Sequence, residues 1–229
     1  MMRRREIRYK TYILYSSPHL GNTSVLSAVN GPSEAKSRSE NAFQANLEIQ
    51  IHPLSGQSGV QERYQEKFLR DAASLVLDLA AYPRTNILVT VQVVNDNGSL
   101  LSAMWNSVMF ALLDACVRVR SSPVWAVSLT LDPVTETVKV DDGDRDDDGD
   151  QVMMKIDGNR RIVKKTHLTL VGGEAVESIL AMDCVGRIPK NLDLLEECMA
   201  QGLKATRLIH SFAQSCLVSK LQSDFRVNQ

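Results

Sequence analysis

Four groupings of residues in this 229-residue chain have types and spacings that could do chemistry. Between Asp141 and Asp150 stand seven aspartates against a single Arg145. Hard carboxylate oxygens suit Mg2+, and a metal-bound water would serve hydrolysis. Seven like charges also repel one another, so the same run reads as a solvated, acidic insertion. The second grouping is Asn95-Asp96-Asn97-Gly98-Ser99, which joins a run of branched apolar residues to a longer apolar stretch. These residue types tolerate positive φ and close a tight turn. Where such a turn opens a helix, unpaired N–H groups and the positive end of the helix dipole converge, an arrangement that suits an anion. The third is the pair Arg63 and Lys67, four residues apart. They are either phosphate ligands or members of surface pairs with Glu62, Glu66 and Asp71. The fourth comprises Cys116, Cys184, Cys198 and Cys216 with His19, His52, His167 and His210. No CxxC and no cysteine–histidine ligand spacing occurs among them, which argues against zinc. The cysteines sit in apolar segments and are expected to be buried and reduced, as in an intracellular protein. No metal and no other cofactor is expected.

The elements that must position these residues can be read from periodicity. Residues 86–94 carry Ile87, Val89, Val91, Val93 and Val94, with Thr90 and Gln92 between them, a strand with one buried face. Ser99 is expected to cap the following helix through its hydroxyl. From Leu100 to Ala115 only Ser102, Asn106, Ser107 and Asp114 are polar, so this helix belongs inside a domain. Residues 46–52 alternate cleanly, Leu47, Ile49 and Ile51 against Glu48, Gln50 and His52, as in a half-buried strand of an antiparallel pair. A helix is expected over residues 60–81, with Leu69, Ala72, Ala73, Val76 and Leu79 buried. Residues 9–15, 124–131, 134–140, 152–156, 161–171 and 176–183 read as further strands, with turns at Gly158-Asn159 and Gly172-Gly173. A last helix spans about residues 191–220. Its apolar stripe is Leu195, Met199, Leu203, Leu208, Ile209 and Phe212.

Charge is polarised rather than extreme. The formal net charge is −1, yet Arg3, Arg4, Arg5, Arg8 and Lys10 crowd the first ten residues. That arm is either a solvated tail or a contact for RNA phosphates. The basic start lacks the apolar region of a secretory signal, and no run of ~18 apolar residues is present to span a membrane. The expectation is a soluble intracellular protein with no membrane partner.

The stretch from Gly21 to Pro32, reading G-N-T-S-V-L-S-A-V-N-G-P, resembles the G-x-T-x-V-L-x-x-V-x-G-P signature of the RNase PH family. Tyr82-Pro83-Arg84-Thr85 and Asn95 to Ala115 are also similar to that family. The resemblance covers about residues 21–220, and it implies an α/β (α+β) fold. That is the RNase PH fold, like domain 2 of ribosomal protein S5, with mixed sheets and packed helices. Residues 1–20 would form a basic arm and first strand; residues 21–229 would form the domain, with residues 141–150 as its acidic loop.

In phosphorolytic members the central turn reads Asp-Gly-Gly-Thr-Arg-Thr and its arginine grips the attacking phosphate. Here Leu100 and Leu101 stand where arginine and threonine would be. Adjacent arginines that hold RNA at the start of the earlier helix are replaced by Val60 and Gln61, leaving Arg63 and Lys67 nearby as the RNA-binding candidates. Asp141 and Asp147 have the six-residue spacing of the family's acidic pair and are vestigial candidates for catalysis. The run 93–101 with 111–115 is similar to one branch in particular, RNase PH-like ring subunits of the eukaryotic RNA exosome. The resemblance thus implies a subunit that is not itself an enzyme. Its partners would be other RNase PH-like subunits in a six-membered ring, cap subunits, an associated catalytic nuclease and RNA. It would work in nucleus and nucleolus and also in cytoplasm. Two alternatives stay open: a metal-dependent hydrolytic or a phosphorolytic 3'-to-5' exoribonuclease acting as a homo-oligomer.

Overall fold

The computed structural model describes residues 10–15, 23–120, 122–132, 137–140, 151–156, 159–164, 166–173, 178–186 and 192–227. Two four-stranded sheets enclose a central helix. The first contains β1 (Lys10–Tyr15), β2 (Ser24–Glu34), β3 (Asn46–His52) and β4 (Thr85–Asn95), in the order β1-β2-β4-β3. The second contains β5 (Trp125–Asp132), β6 (Thr137–Val140), β9 (Thr166–Gly173) and β10 (Ser178–Val185), in the order β10-β9-β5-β6. Strands β7 (Gln151–Ile156) and β8 (Asn159–Lys164) form a separate ribbon. Helix α1 (Val60–Val76) packs on β3, α2 (Leu100–Asp114) lies between the sheets, and α3 (Leu192–Val227) covers the second sheet.

The alternation in β3 and β4 buries one row of branched side chains: Leu47, Ile49, Ile51, Ile87, Val89, Val91 and Val93. Val94, grouped with them in the sequence, is exposed where the alternation breaks. The pairing of β3 differs from expectation, because β3 and β4 run parallel, with Leu47 opposite Ile87 and Ile51 opposite Val91. Helix α1 carries the chain back between them, and that return reverses the direction a hairpin would impose. Alternation reports one buried face but not the direction of the neighbour.

Helix α2 is buried around its circumference, and its polar groups from Ser102 to Ser107 are spent on the two sheets, while Asp114 at its end accepts from Lys220 of α3. Ser107 donates to Ser27 of β2 at 2.7 Å. Asn106 accepts the Ala126 N–H at 2.9 Å and donates to the Ala126 carbonyl at 3.0 Å, clamping β5. Trp105 Nε1 donates to the Val124 carbonyl, and Ser128 of β5 donates to Ser102 at 3.1 Å. Each of these groups would otherwise be an unpaired polar atom in a dry core.

Several boundaries moved for physical reasons. The helix expected to reach residue 81 ends at Val76. Leu77 turns extended and bridges Val119, and a 3-10 turn, Leu79–Ala81, follows. Asp78 N–H donates to the Arg118 carbonyl and Arg120 N–H to that of Val76, so residues 118–120 take up backbone groups the helix would have used. Strand β2 passes through Gly31-Pro32 with a register shift between Asn30 and Ser33. Gly31 has φ +140°, and a Cβ there would lie 2.7 Å from the Asn86 carbonyl oxygen, so only glycine fits. The single strand expected over residues 161–171 is divided between β8 and β9, and Gly172-Gly173 belongs to β9, paired with Ile179 and Ser178.

In α3 the expected stripe holds in part, since Leu195 and Ile209 pack against the buried clusters. Leu208 and Phe212 are exposed, while the small residues Cys198, Gly202, Thr206 and Ala213 face inward. Gly202 lets the helix approach so closely that a Cβ would overlap Leu170 Cδ1 and come within 3.2 Å of Leu129 Cδ1.

Candidate functional site

The turn between β4 and α2 is built by long-range contacts as much as by its own residues. Gly98 has φ 104° and Ser99 φ 52°, so both occupy left-handed backbone. Thr23, at the entry to β2 and almost fully buried, accepts the Asn97 N–H at 3.0 Å and donates to the Gly98 carbonyl at 2.6 Å. Asp96 Oδ1 accepts the Gly98 N–H at 3.2 Å. The Thr of the G-N-T-S-V-L motif therefore fastens the turn, a role no local reading assigned to it; the motif itself was the signal.

Ser99 occupies the N-cap position but its hydroxyl makes no capping bond, contrary to expectation. In left-handed backbone its side chain no longer points along the first turn. Its carbonyl instead accepts from Ala103 N–H at 3.1 Å and from the Ser102 hydroxyl at 2.8 Å.

The start of α2 aims backbone N–H groups and the helix dipole outward, as an anion site would. The turn adds no cation to them. Residues 95–101 read Asn-Asp-Asn-Gly-Ser-Leu-Leu, and their one charge is the Asp96 carboxylate. Leu101 is buried and Leu100 is partly buried, packed against the core. Leucine at 100 is thus a core contact rather than a group presented to a ligand.

Arg63 and Lys67 lie on the solvent side of α1, opposite the buried row Leu69, Ala72, Ala73 and Val76. The surface pairs expected with neighbouring acids do not form among the described residues. Glu62 accepts the Gly59 N–H at 2.7 Å, closing a capping box. Glu66 accepts the Ile51 N–H of edge strand β3 at 2.8 Å. With these acids drawn to backbone donors, the basic side chains are left facing water. One turn-neighbour was missed by sequence reading. Tyr64 is 54% exposed and donates its hydroxyl to Asp183 of β10 at 2.8 Å. That donation, then burial, then the carboxylate's charge raise its pKa above the ordinary value. A lone aromatic between two cations was the available signal.

Asp141 and Asp147 lie outside the described residues. Among the described residues no group of three or more His, Cys, Asp or Glu is placed to hold a metal ion. The cysteines divide. Cys198 is buried and Cys184 half-buried, whereas Cys116 and Cys216 are exposed, because each follows or lies on the outer side of a helix end or face that the apolar run conceals. Burial chiefly, with the neighbouring Asp183 or Glu197 charge, pushes the Cys184 and Cys198 thiols up. His52 is exposed on β3. No helix among the described residues is long and apolar enough to cross a membrane.

Residues 16–118 match the 3' exoribonuclease family, domain 1, RNase PH. An exosome complex exonuclease RRP46 homolog of Arabidopsis thaliana is 38% identical over 100 residues, covering 44% of this chain and 42% of that protein. Exosome complex component rrp46 of Schizosaccharomyces pombe is 30% identical over 118 residues, covering 49% and 52%. The matched part spans about half the length of these curated relatives or less. The crystal structure of rice Rrp46 superposes with a TM-score of 0.71 at 22% identity, over 93% of this chain and 96% of that one, and shows a shared fold.

Proposed function

From the match of residues 16–118 to domain 1 of the 3' exoribonuclease family, RNase PH, we propose that this chain is a catalytically silent ring subunit of an RNA exosome. It sits among other RNase PH-like subunits in a six-membered ring, beneath cap subunits, and helps thread RNA to a nuclease bound elsewhere. Its work is 3'-to-5' RNA processing and decay in nucleus and nucleolus, and also in cytoplasm. One observation carries the silent assignment. Phosphorolysis needs a phosphate dianion held in line with the scissile bond, and Leu100 packs against the core where a cationic ligand would be needed. Charge-assisted hydrogen bonds from an arginine are worth roughly 1.5–3 kcal/mol each, and backbone N–H groups alone do not replace that charge. Arg63 and Lys67 are the RNA contacts in this reading, and Asp141 and Asp147 are vestiges.

The test is direct. Purified full-length chain is incubated with 3'-labelled and 5'-labelled RNA in phosphate or in Mg2+. No nucleoside diphosphates should appear, and Leu100→Arg alone should not produce them, since Val60 and Gln61 leave the RNA backbone unheld. Tagged chain should co-purify with RNase PH-like subunits in equal amounts. Phosphate-dependent diphosphate release would overturn the assignment. Mg2+-dependent monophosphate release lost on deleting residues 141–150 would replace it with a hydrolase.

A further inference from the structure

We infer that Phe43, with the chain segment 79–84 beside it, is the anchor by which this protein docks in an apolar cleft of another RNase PH-like subunit. The inference rests on the ring reading above and names the surface that makes the contact.

The first observation is an aromatic ring held out in water. Phe43 is 86% exposed, in the connection between β2 and β3. The backbone under it is tied down. Arg84 N–H donates to the Asn41 carbonyl at 3.0 Å, Ala35 N–H to the Arg84 carbonyl at 3.2 Å, and Ala45 N–H to the Leu79 carbonyl at 2.9 Å. Arg84, bonded on both sides, keeps left-handed backbone at φ 59°, a conformation that a non-glycine residue holds where its surroundings over-determine it. Asn41 Oδ1 accepts the Phe43 N–H at 3.0 Å, and Ala45 is buried. A hydrophobic ring on a preordered loop costs free energy while it stays exposed, and its backbone loses little entropy when a partner covers it.

The second observation is what surrounds the ring. The bonds at residues 41 and 45 set Phe43 across the segment 79–84, where Ala80, Ala81 and Pro83 are exposed. None of these four side chains has a hydrogen-bonding group that a cleft would have to satisfy. A stable interface needs roughly 800 Å2 on each side, more than one corner supplies, and the surface continues from it. Strands β3 and β4 begin beside the corner and turn Leu47, Ile49, Ile87 and Val89 to the helices. On their other face no described residue joins that core. Leu88 lies there with Ala28 and Leu26 of β2 nearby, and Glu48, opposite Leu88, is the one carboxylate that β3 and β4 place on it. Asn46 Nδ2 donates to that carboxylate at 2.9 Å.

The third observation is charge, and it decides the occupant. Arg84 pairs with Glu40 at 3.5 Å, and Arg118 with Asp78 at 3.2 Å. Lys36 and Arg38, the loop's other cations, are matched in number by Glu34 and Glu48 on the strands it joins. The balance offers no attraction to a polyanion such as RNA or to an anionic membrane surface. An aromatic anchor, a charge-poor centre and a rim of opposed charges fit a protein partner.

The experiment co-expresses the full-length chain with affinity-tagged RNase PH-like subunits, in wild-type form and with the photo-cross-linker p-benzoylphenylalanine at position 43. Illumination should join position 43 to a peptide of another RNase PH-like subunit. Phe43→Glu should cut recovery with those subunits about tenfold or more, and Phe43→Leu should keep most of it. Thermal unfolding of the Phe43→Glu chain alone should match the wild type, because an exposed side chain contributes little to the fold. Full recovery with Phe43→Glu, beside a wild type that assembles, would overturn the anchor and leave the ring reading standing. Cross-links to RNA alone, or to a second copy of this chain alone, would also overturn it. So would a lowered melting temperature for Phe43→Glu, since the ring would then belong to the packing of its own chain. A wild-type chain that recovers no RNase PH-like subunit would remove the ring reading, and the anchor with it.

Discussion

Helices α1 and α2 each leave a strand of the first sheet's region and each contain charged or polar residues, yet they use them in opposite ways. In α2 every polar side chain from Ser102 to Ser107 reaches a sheet: Ser102 to Ser128, Asn106 to Ala126, Ser107 to Ser27. In α1 the acids Glu62 and Glu66 reach backbone N–H groups, and the cations Arg63 and Lys67 reach water. The most recognisable segment of the chain is therefore its framework, and the segment whose charged groups stay at the surface is the plainer amphipathic helix. A buried polar group that is fully satisfied specifies packing; an exposed cation on a helix whose acids balance its charge is a solvated surface group.

The largest effect should come from breaking α2. Met109 is fully buried between the sheets, and Met109→Asp would leave an unpaired charge there at a cost of several kcal/mol. Thermal unfolding should show a collapse of stability or no folded protein. A variant that melted with the wild type would refute the placement of α2. The corresponding exposed position on α1, Lys67→Asp, should change stability by less than about 0.5 kcal/mol.

How much of this contrast was legible beforehand can be argued from individual residues. The burial of α2 was legible, because Leu100 to Ala115 has no continuous polar stripe. The buried rows of β3, β4 and α1 were legible from period two and period 3.6. What could not be read depends on partners distant in sequence. Nothing near Leu77 announces that Val119 will bridge it, and nothing in β3 announces a parallel neighbour. The α3 stripe was legible at Leu195 and Ile209 and missed at Leu208 and Phe212, for a different reason. Hydrophobicity favours Leu208 and Phe212, but close approach to Leu170 and Leu129 selects small residues such as Gly202 and Ala213. At the turn, the absence of any cation from residues 95–101 was plain from the residue types. Tyr64 was overlooked because its meaning comes from Asp183, 119 residues away.

Gly202 offers a test of intermediate size. In an isolated helix, Gly→Ala gains up to about 1 kcal/mol. Here the added methyl overlaps Leu170, which is itself buried, and overpacking of this kind costs about 1–3 kcal/mol. Gly202→Ala should therefore destabilise in urea titrations, and a gain in stability would show that α3 stands off the sheet. The serine pair linking α2 to β2 comes next. Ser107→Ala leaves the Ser27 hydroxyl buried and unpaired, and should cost about 1–3 kcal/mol. Adding Ser27→Ala should recover part of that loss. Strict additivity in the double-mutant cycle would mean that the 2.7 Å contact does not couple the two elements.

The smallest expected effect lies on α1 and depends on pH. The Tyr64 phenol is raised above its ordinary 10.0 by its hydrogen bond to Asp183, then by burial, then by the carboxylate's charge. The folded state thus favours the protonated phenol. A group raised in this way contributes its stability fully below the unfolded value near pH 10 and loses it as pH rises through the higher folded value. Because Tyr64 is more than half exposed, solvent screening keeps the contribution to no more than about 1 kcal/mol. Urea midpoints of wild type and Tyr64→Phe should differ slightly and by a constant amount up to about pH 9, then converge toward pH 11. A gap that widened with rising pH would have the wrong sign for a phenol donating to a carboxylate. A gap independent of pH would mean that the bond between α1 and β10 contributes nothing, and that Tyr64 is held by its ring alone.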